Sequence, residues 1–397
     1  MTRRIPRGSV PALLVLLAFH CALFGPAAVA AQERLGAHTV DRLDAAIRRA
    51  LAAERIPSLT VALVDRDGIL WSSAYGESNL WAHTPASLGT VYAIGSTFKA
   101  QSTVALLQQM EDGAFRLDDP VRDQLRPFRI RREDPSRPVT FRQLLTHTSG
   151  LPAGFGPHPV WGETVPPPLE SYVRDSLALV SPPGEAVLYS NIAFALVGWL
   201  VERMTGVPYP EYVRTRVWQP LEMGSTAFAP TPAMEERLAV PYVRDERGRL
   251  VPTERLKANV WPAGVVYGTI EDQARWVAFN LGDGTAPDGR RLLREETLDA
   301  MLTLQDSVHV GAPMAGRWGY ERTGYGLGWW TTVRAGERFF GHSGSLPGYT
   351  AFLMGNRDRG TGVAILTNAD QAQGALVRLA NLALDLLAEP PRVVVQP

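Results

Sequence analysis

The stretch ERFFGHSGSLPGYTAFLMGNRDRGTGVAILTN, Glu337–Asn368, contains three strand-like segments in succession. The segments are ERFFGHSG, GYTAFLMGN and GVAILTN, and the last two flank the tetrapeptide RDRG, which has the polar and glycine composition of a hairpin turn. Consecutive hairpins favour an antiparallel sheet with helices packed on it. This stretch therefore predicts the central sheet of the protein.

Segments elsewhere in the chain extend this pattern. GYGLGWWTTV, Gly324–Val333, carries a further strand signal, and SLTVALVDRDGILWSSAYG, Ser58–Gly76, predicts a β-hairpin through an Asp-Gly turn. Apolar residues at helical spacing predict helices over His38–Pro57 and Gln371–Glu389. From about residue 96 to 257 the pattern is helical and loop-rich.

Strand-bearing segments at both ends thus bracket a helical middle. We predict an α+β fold in which an antiparallel sheet is flanked by helices and lies beside an all-α region. The predicted organisation has a signal peptide over residues 1–31, a sheet domain formed by 32–95 and 260–397, and a mainly helical domain over 96–259.

Composition limits the kind of partner. The 397 residues have a formal net charge of zero, with 45% hydrophobic and 20% charged residues, as in ordinary soluble globular proteins. Because no run of basic residues stands out after the N-terminus, we expect no nucleic-acid partner. The expected partner is a small-molecule or peptide substrate, and the sequence leaves the oligomeric state open.

The N-terminus has the order of a secretory signal peptide. Arg3, Arg4 and Arg7 precede the apolar run VPALLVLLAFHCALF, and small residues follow at Ala27–Ala31. The run is shorter than the roughly 20 residues of a membrane span. We therefore expect a secreted or periplasmic protein without stable membrane insertion of the mature chain, with a retained anchor as the alternative.

The only cysteine, Cys21, lies in that apolar run. A mature chain without it has no thiol nucleophile, disulfide or cysteine metal site. No histidine pair has zinc-ligand spacing, so we expect neither a metal nor another cofactor.

Ser343 lies between glycines in GHSGS and resembles a nucleophile elbow. The fifth position, however, is Ser345 instead of glycine. The elbow fold also needs a histidine after the serine in chain order, and His342 is the last histidine in the sequence. Ser343 is therefore a poor candidate for the nucleophile.

Ser96 is a better candidate. It begins a predicted helix in YAIGSTFKAQSTVALLQQMEDG, and Lys99 follows three residues later on the same helix face. A lysine with a depressed pKa can take the serine proton, whereas arginine cannot. Of the 40 basic residues only two, Lys99 and Lys257, are lysines, which indicates that chemistry selected Lys99. The alternative is a solvated helix lysine.

Tyr189 and Asn191 form a second element in SPPGEAVLYSN. A lysine ammonium nearby is expected to lower the pKa of Tyr189 from about 10, so that the phenolate exchanges protons with the serine and the leaving group. Asn191 offers a donor and an acceptor to a substrate amide. The alternative is a loop tyrosine and a helix-capping asparagine.

His342, Gly344 and Ser345 form a third element on a predicted strand. Gly344 has no side chain, so an extended substrate could lie against this strand. The backbone N–H of Ser345, together with that of Ser96, could form an oxyanion hole. His342 would project a polar group toward the substrate. The alternative is a glycine-rich bend with a structural histidine.

The succession S-x-x-K, Y-x-N and H-x-G resembles the serine beta-lactamase and penicillin-binding protein superfamily, and most of all its class C branch with D-alanyl-D-alanine carboxypeptidases, D-aminopeptidases and esterases. TFRQLLTHTSGLP, YGLGWW and the opening stretch are similar to segments of that family, and the resemblance spans about residues 38–388. It implies an active site between the sheet and the helical region.

The resemblance also implies a role for each residue of the three elements. Ser96 matches the acylated nucleophile, Lys99 its activating partner and Tyr189 the general acid–base. The matches to substrate-binding positions are Asn191, His342, Gly344 and, through its backbone N–H, Ser345. His342 stands where class C beta-lactamases usually carry lysine, which weakens the case for an efficient beta-lactamase.

The predicted function is that of a secreted serine hydrolase with an acyl-enzyme on Ser96, acting on a peptide, ester or beta-lactam bond. The alternative is a penicillin- or peptidoglycan-binding or sensor protein with little turnover. HTSGLP, His147–Pro152, is interpreted as a structural turn.

Export is tested by N-terminal sequencing of the protein recovered from the extracytoplasmic fraction. Cleavage after the small residues places the new N-terminus near Ala30 or Ala31. A mature protein that begins at Met1 would contradict the prediction.

Overall fold

A computed structural model describes residues 35–154, 160–161, 165–305 and 322–389. The predicted signal peptide lies outside these residues. In the described part of the chain, no helix combines the length and apolar character that a membrane crossing requires.

Fourteen strands are defined in the described residues. They are β1 Ser58–Asp65, β2 Gly68–Asn79, β3 Thr84–Pro85, β4 Tyr92–Ala93, β5 Val160–Trp161, β6 Tyr242–Arg244, β7 Leu250–Pro252, β8 Leu256–Lys257, β9 Tyr267–Gly268, β10 Arg322–Tyr325, β11 Trp330–Arg334, β12 Glu337–Leu346, β13 Tyr349–Asn356 and β14 Thr361–Thr367.

Ten α-helices are defined in the same ranges. They are α1 Ala37–Glu54, α2 Lys99–Glu111, α3 Phe141–Leu145, α4 Leu169–Ser176, α5 Asn191–Thr205, α6 Tyr209–Val213, α7 Pro232–Glu235, α8 Ile270–Leu281, α9 Glu295–Leu302 and α10 Gln373–Ala388. Three 3₁₀ turns, at Gly95–Phe98, Val121–Gln124 and Trp261–Ala263, and one π turn at Arg214–Trp218 complete the description.

Eight strands form one antiparallel sheet in the order β10-β11-β12-β13-β14-β1-β2-β3. The predicted hairpins β1–β2 and β13–β14 are confirmed, and β1 pairs with β14 so that Leu59 lies opposite Thr367. The first and last strand-bearing segments of the chain therefore form one sheet, and the predicted α+β class is confirmed.

Both faces of the sheet are covered, which explains why β1 is buried along nearly its whole length. Leu59, Val61 and Leu63 face α1 and α10, whereas Ala62 and Val64 belong to the cluster that includes α8 and the helical region. The alternation follows from the two-residue repeat of a strand.

Helix α5 is the centre of the helical region. Its residues from Ile192 to Val201 are all buried, as expected for a helix that is apolar on every side. The Ser190 hydroxyl accepts from the Ala193 N–H at 3.0 Å and caps the N-terminus, while Gly206 ends the helix with a φ of 69°. These caps fix where the segment before α5 enters the core.

The sequence predicted a strand signal over Gly324–Val333, whereas the structure contains two strands there, β10 and β11. Gly328 adopts a φ of 73°, and the Gly326 N–H donates to the Trp329 carbonyl at 2.9 Å. These features close a turn inside the segment. The division of the chain into 32–95 with 260–397 and 96–259 stays a prediction.

Packing of α10 on the sheet predicts a position-dependent loss of stability. Leu376 is fully buried, so Leu376→Ala is expected to lower the free energy of unfolding by about 2–5 kcal/mol. Val180 is 59% exposed, and Val180→Ala is expected to change it by less than about 0.5 kcal/mol. Urea denaturation measures both, and similar losses in the two variants would contradict this packing.

Candidate active site

Ser96 lies in the 3₁₀ turn that leads into α2. The turn starts at Gly95 with a φ of 55°, and the Thr97 hydroxyl donates to the Ile94 carbonyl at 2.8 Å. Ser96 is half-buried between fully buried neighbours. The turn therefore presents one hydroxyl from an otherwise packed segment, next to Lys99 on the same helix face.

The Lys99 side chain is fully buried. Its Nζ lies 3.1 Å from Ser96 Oγ, 2.7 Å from Asn191 Oδ1 and 2.5 Å from the Ala263 carbonyl oxygen. Burial lowers the pKa of this amine well below its ordinary value. In the neutral amine, the two N–H bonds donate to the oxygens of Asn191 and Ala263, which only accept. The lone pair then faces the Ser96 hydroxyl and can take its proton.

Tyr189 hydrogen-bonds to Ser96, and its ring centroid lies 4.8 Å from Lys99 Nζ. Burial raises the pKa of Tyr189 above its ordinary value, and the hydrogen bond with Ser96 offsets part of this rise. The expected lowering by a lysine ammonium is therefore wrong. Because burial also disfavours the ammonium, the pair consists of a phenol and an amine.

Asn191 is the first residue of α5, and the helix cap is Ser190. The capping alternative for Asn191 is therefore wrong, and its amide oxygen instead accepts from Lys99 Nζ. The structure thus links Asn191 to the Ser96–Lys99 pair. Its contact with a substrate amide stays a prediction.

His342 lies on β12 with its ring centroid 6.2 Å from that of Tyr189. Its Nδ1–H donates to the Ser343 carbonyl at 2.6 Å, so in the neutral ring Nε2 carries a lone pair. Nε2 is buried and has no partner in the described residues. Burial lowers the pKa of His342 to about 3, despite the bond to Ser343.

Gly344 and Gly95 allow β12 to approach the nucleophile turn. A Cβ on Gly344 would lie 2.0 Å from the Ile94 carbonyl oxygen, and one on Gly95 would lie 2.6 Å from the Ser345 nitrogen. Neither distance is sterically possible. The space beside Gly344 is therefore filled by the turn, and this contact brings the Ser345 backbone next to Ser96.

Ser343 faces away from this cluster. Side chains alternate along β12, and the Ser343 hydroxyl accepts from Gln373 Nε2 at 3.1 Å at the start of α10. His342 and Ser343 therefore lie on opposite faces of the sheet. This placement agrees with the rejection of Ser343 as the nucleophile.

Two members of the cluster were missed by the sequence analysis. The fully buried ring of His147 packs on Tyr189, with centroids 4.3 Å apart, although HTSGLP was interpreted only as a turn. Ala263 contributes a carbonyl, for which no side-chain signal exists. Among the described residues, no group of three or more His, Cys, Asp or Glu side chains could hold a metal ion.

Comparisons with known proteins define the class of this fold and site. Penicillin-binding protein 4 of Amycolatopsis lactamdurans is 29% identical over 364 residues, which cover 89% of this chain and 90% of that protein. An octameric penicillin-binding protein homologue from Pyrococcus abyssi superposes with a TM-score of 0.74 at 26% identity, covering 89% of this chain and 78% of that one. A beta-lactamase/D-alanine carboxypeptidase from Yersinia pestis gives a TM-score of 0.68 at 21% identity, covering 85% and 95%, respectively.

The fold is thus the one shared by beta-lactamases and penicillin-binding proteins. The model of the Beta-lactamase family matches residues 43–387, and the chain belongs to this family of serine hydrolases. The predicted membership in the superfamily is confirmed.

Burial of Lys99 predicts a pH dependence of stability. The amine is neutral in the folded protein well below its ordinary pKa, whereas the unfolded chain holds the proton up to about pH 10. The unfolded state therefore binds one proton more, and the free energy of unfolding rises with pH by as much as about 1.4 kcal/mol per unit. Lys99→Met is expected to lose this slope.

Urea unfolding of both proteins between about pH 7 and 9 measures the difference. Other titrating groups are common to the two chains and cancel in the comparison. Equal slopes would show that Lys99 is protonated in the folded protein.

Proposed function

We propose that this chain is a secreted serine hydrolase that forms an acyl-enzyme on Ser96. The observation that carries the proposal is the 3.1 Å contact between Ser96 Oγ and the fully buried Lys99 Nζ. A serine hydroxyl becomes a good nucleophile when an adjacent base takes its proton. The buried amine, with both N–H bonds directed at carbonyl oxygens, is such a base.

In the acylation step, Ser96 Oγ attacks the substrate carbonyl carbon while its proton passes to Lys99. The backbone N–H groups of Ser96 and Ser345 stabilise the oxyanion that forms. Tyr189 donates its phenol proton to the departing nitrogen or oxygen, and Lys99 returns the transferred proton to Tyr189. The leaving group departs neutral, and the acyl group stays on Ser96.

Deacylation uses the same groups in reverse. Tyr189 and Lys99 together accept a proton from water as it attacks the acyl carbon, and Ser96 Oγ takes that proton when the acid is released. The hydrogen bond of Tyr189 to Ser96 supports this route, because it keeps the phenol next to the Ser96 oxygen in both acylation and deacylation.

The substrate class we propose is an ester or amide without a carboxylate at the position facing His342. Burial lowers the pKa of His342 to about 3, so this residue offers no cation to a substrate carboxylate at neutral pH. Penicillin-binding protein 4 and the carboxypeptidase are similar proteins, and peptide and beta-lactam bonds remain the other substrates to be assayed. Secretion is part of the proposal through the N-terminal sequence.

Intact-protein mass spectrometry and turnover assays test the proposal. The protein is incubated with p-nitrophenyl acetate and separately with benzylpenicillin. We expect ester turnover that Ser96→Ala lowers by about 10³-fold or more, since the nucleophile is lost. Ser343→Ala is the matched control, and its turnover is expected to equal that of the unmodified protein because Ser343 faces α10.

The other outcomes are distinct. A stable penicilloyl adduct on Ser96 without turnover of any ester or amide would support the binding or sensor protein instead. Rapid penicillin hydrolysis would contradict the proposed substrate class but retain the acyl-enzyme. Equal turnover by Ser96→Ala would overturn the assignment of the nucleophile.

A further inference from the structure

His147 holds the backbone on both sides of Tyr189. Its carbonyl accepts from the Leu188 N–H at 2.7 Å, and its ring Nδ1 accepts from the Ser190 N–H at 3.0 Å. One buried residue thus determines the path of the chain immediately before and after the phenol. The geometry requires a φ of 59° at His147, a left-handed conformation that few residue types adopt readily.

The His147 ring also contacts the Tyr189 side chain directly. The two rings lie 4.3 Å apart at 32°, and the imidazole packs further against Phe194 and Tyr325 at 5.2 and 4.8 Å. A phenol in contact with a fully buried ring has little freedom to rotate away. The backbone and ring contacts therefore restrict the same side chain in two ways.

The imidazole ring of His147 makes these contacts in its neutral form. Because Nδ1 accepts from Ser190, the ring proton lies on Nε2, which is buried and has no hydrogen-bond partner among the described residues. Burial lowers the pKa of His147 well below its ordinary value. The ring thus contributes shape and one acceptor without adding a cation beside Lys99.

We infer that His147 is a positioning residue that holds the Tyr189 phenol against Ser96 for proton transfer. The inference rests on the proposed function and goes beyond the interpretation of HTSGLP as a structural turn. A turn that served only the fold would stabilise the chain without affecting Tyr189 in particular. The two cases differ in how the effects of substitutions at His147 and Tyr189 combine.

The first test is a double-mutant cycle on the rate of Ser96 labelling by a fluorophosphonate probe, followed by intact mass. His147→Asn keeps an acceptor and tolerates the left-handed conformation but removes the ring. We expect it to slow labelling by about 10-fold, because small displacements of reacting groups are costly. In a Tyr189→Phe background, the same substitution is expected to cause no further loss.

His83→Asn is the matched control, since His83 also has a positive φ, of 51°, but lies exposed outside the site. Its labelling rate is expected to match that of the unmodified protein. Multiplicative losses in the double variant would show that His147 does not act through Tyr189 and would overturn the inference. Melting temperatures identify any variant whose loss reflects unfolding.

Hydrogen exchange provides a readout that needs no activity. His147→Ala removes the acceptor for the Ser190 N–H, so exchange of that amide is expected to accelerate at least about 10-fold, with His147→Asn intermediate. Unchanged exchange in His147→Ala would overturn the inference. If the unmodified protein is not labelled at Ser96, the proposed function fails, and the exchange result alone decides the role of His147 toward Tyr189.

Discussion

The rest of the site depends on the burial of one amine. Lys99 Nζ is enclosed where α2, α5 and the turn Trp261–Ala263 meet, with oxygens of Asn191 and Ala263 as acceptors. A buried ammonium requires a compensating charge, and the amine's three hydrogen-bond partners are all neutral groups. The lower-energy state is therefore the neutral amine, whose remaining lone pair faces Ser96. Each of these elements comes from a different part of the chain, so the base exists only in the folded protein.

Close backbone contact between β12 and the turn Gly95–Phe98 completes the arrangement. The sheet joins β1 to β14. Strand β12 lies against the turn that carries Ser96, because a Cβ on Gly344 would collide with the Ile94 carbonyl and one on Gly95 with the Ser345 nitrogen. A single Cβ at either position would separate the strand from the turn. Packing that stabilises the sheet therefore also aligns the Ser96 hydroxyl with β12.

Electrical neutrality is the feature that most affects substrate choice. Burial lowers the pKa of Lys99, His147 and His342 and raises the pKa of Tyr189, so it favours the uncharged form of each of the four groups. Proton transfer between neutral partners separates charge only during the reaction, when an oxyanion also develops. A site of this kind discriminates by hydrogen bonding and shape, and His342 provides it with no cation.

Local patterns were sufficient for much of the fold. The amphipathic spacing of α1 and α10, the Asp-Gly turn of β1–β2 and the S-x-x-K interval at the start of α2 depend on neighbours in sequence, so the sequence alone determined them. The charge states of Tyr189 and Lys99, the acceptor from Ala263, the partner of Asn191 and the packing of His147 on Tyr189 depend on contacts between distant segments. Only the tertiary structure decided these, because burial is a property of the folded core and every residue carries the same carbonyl.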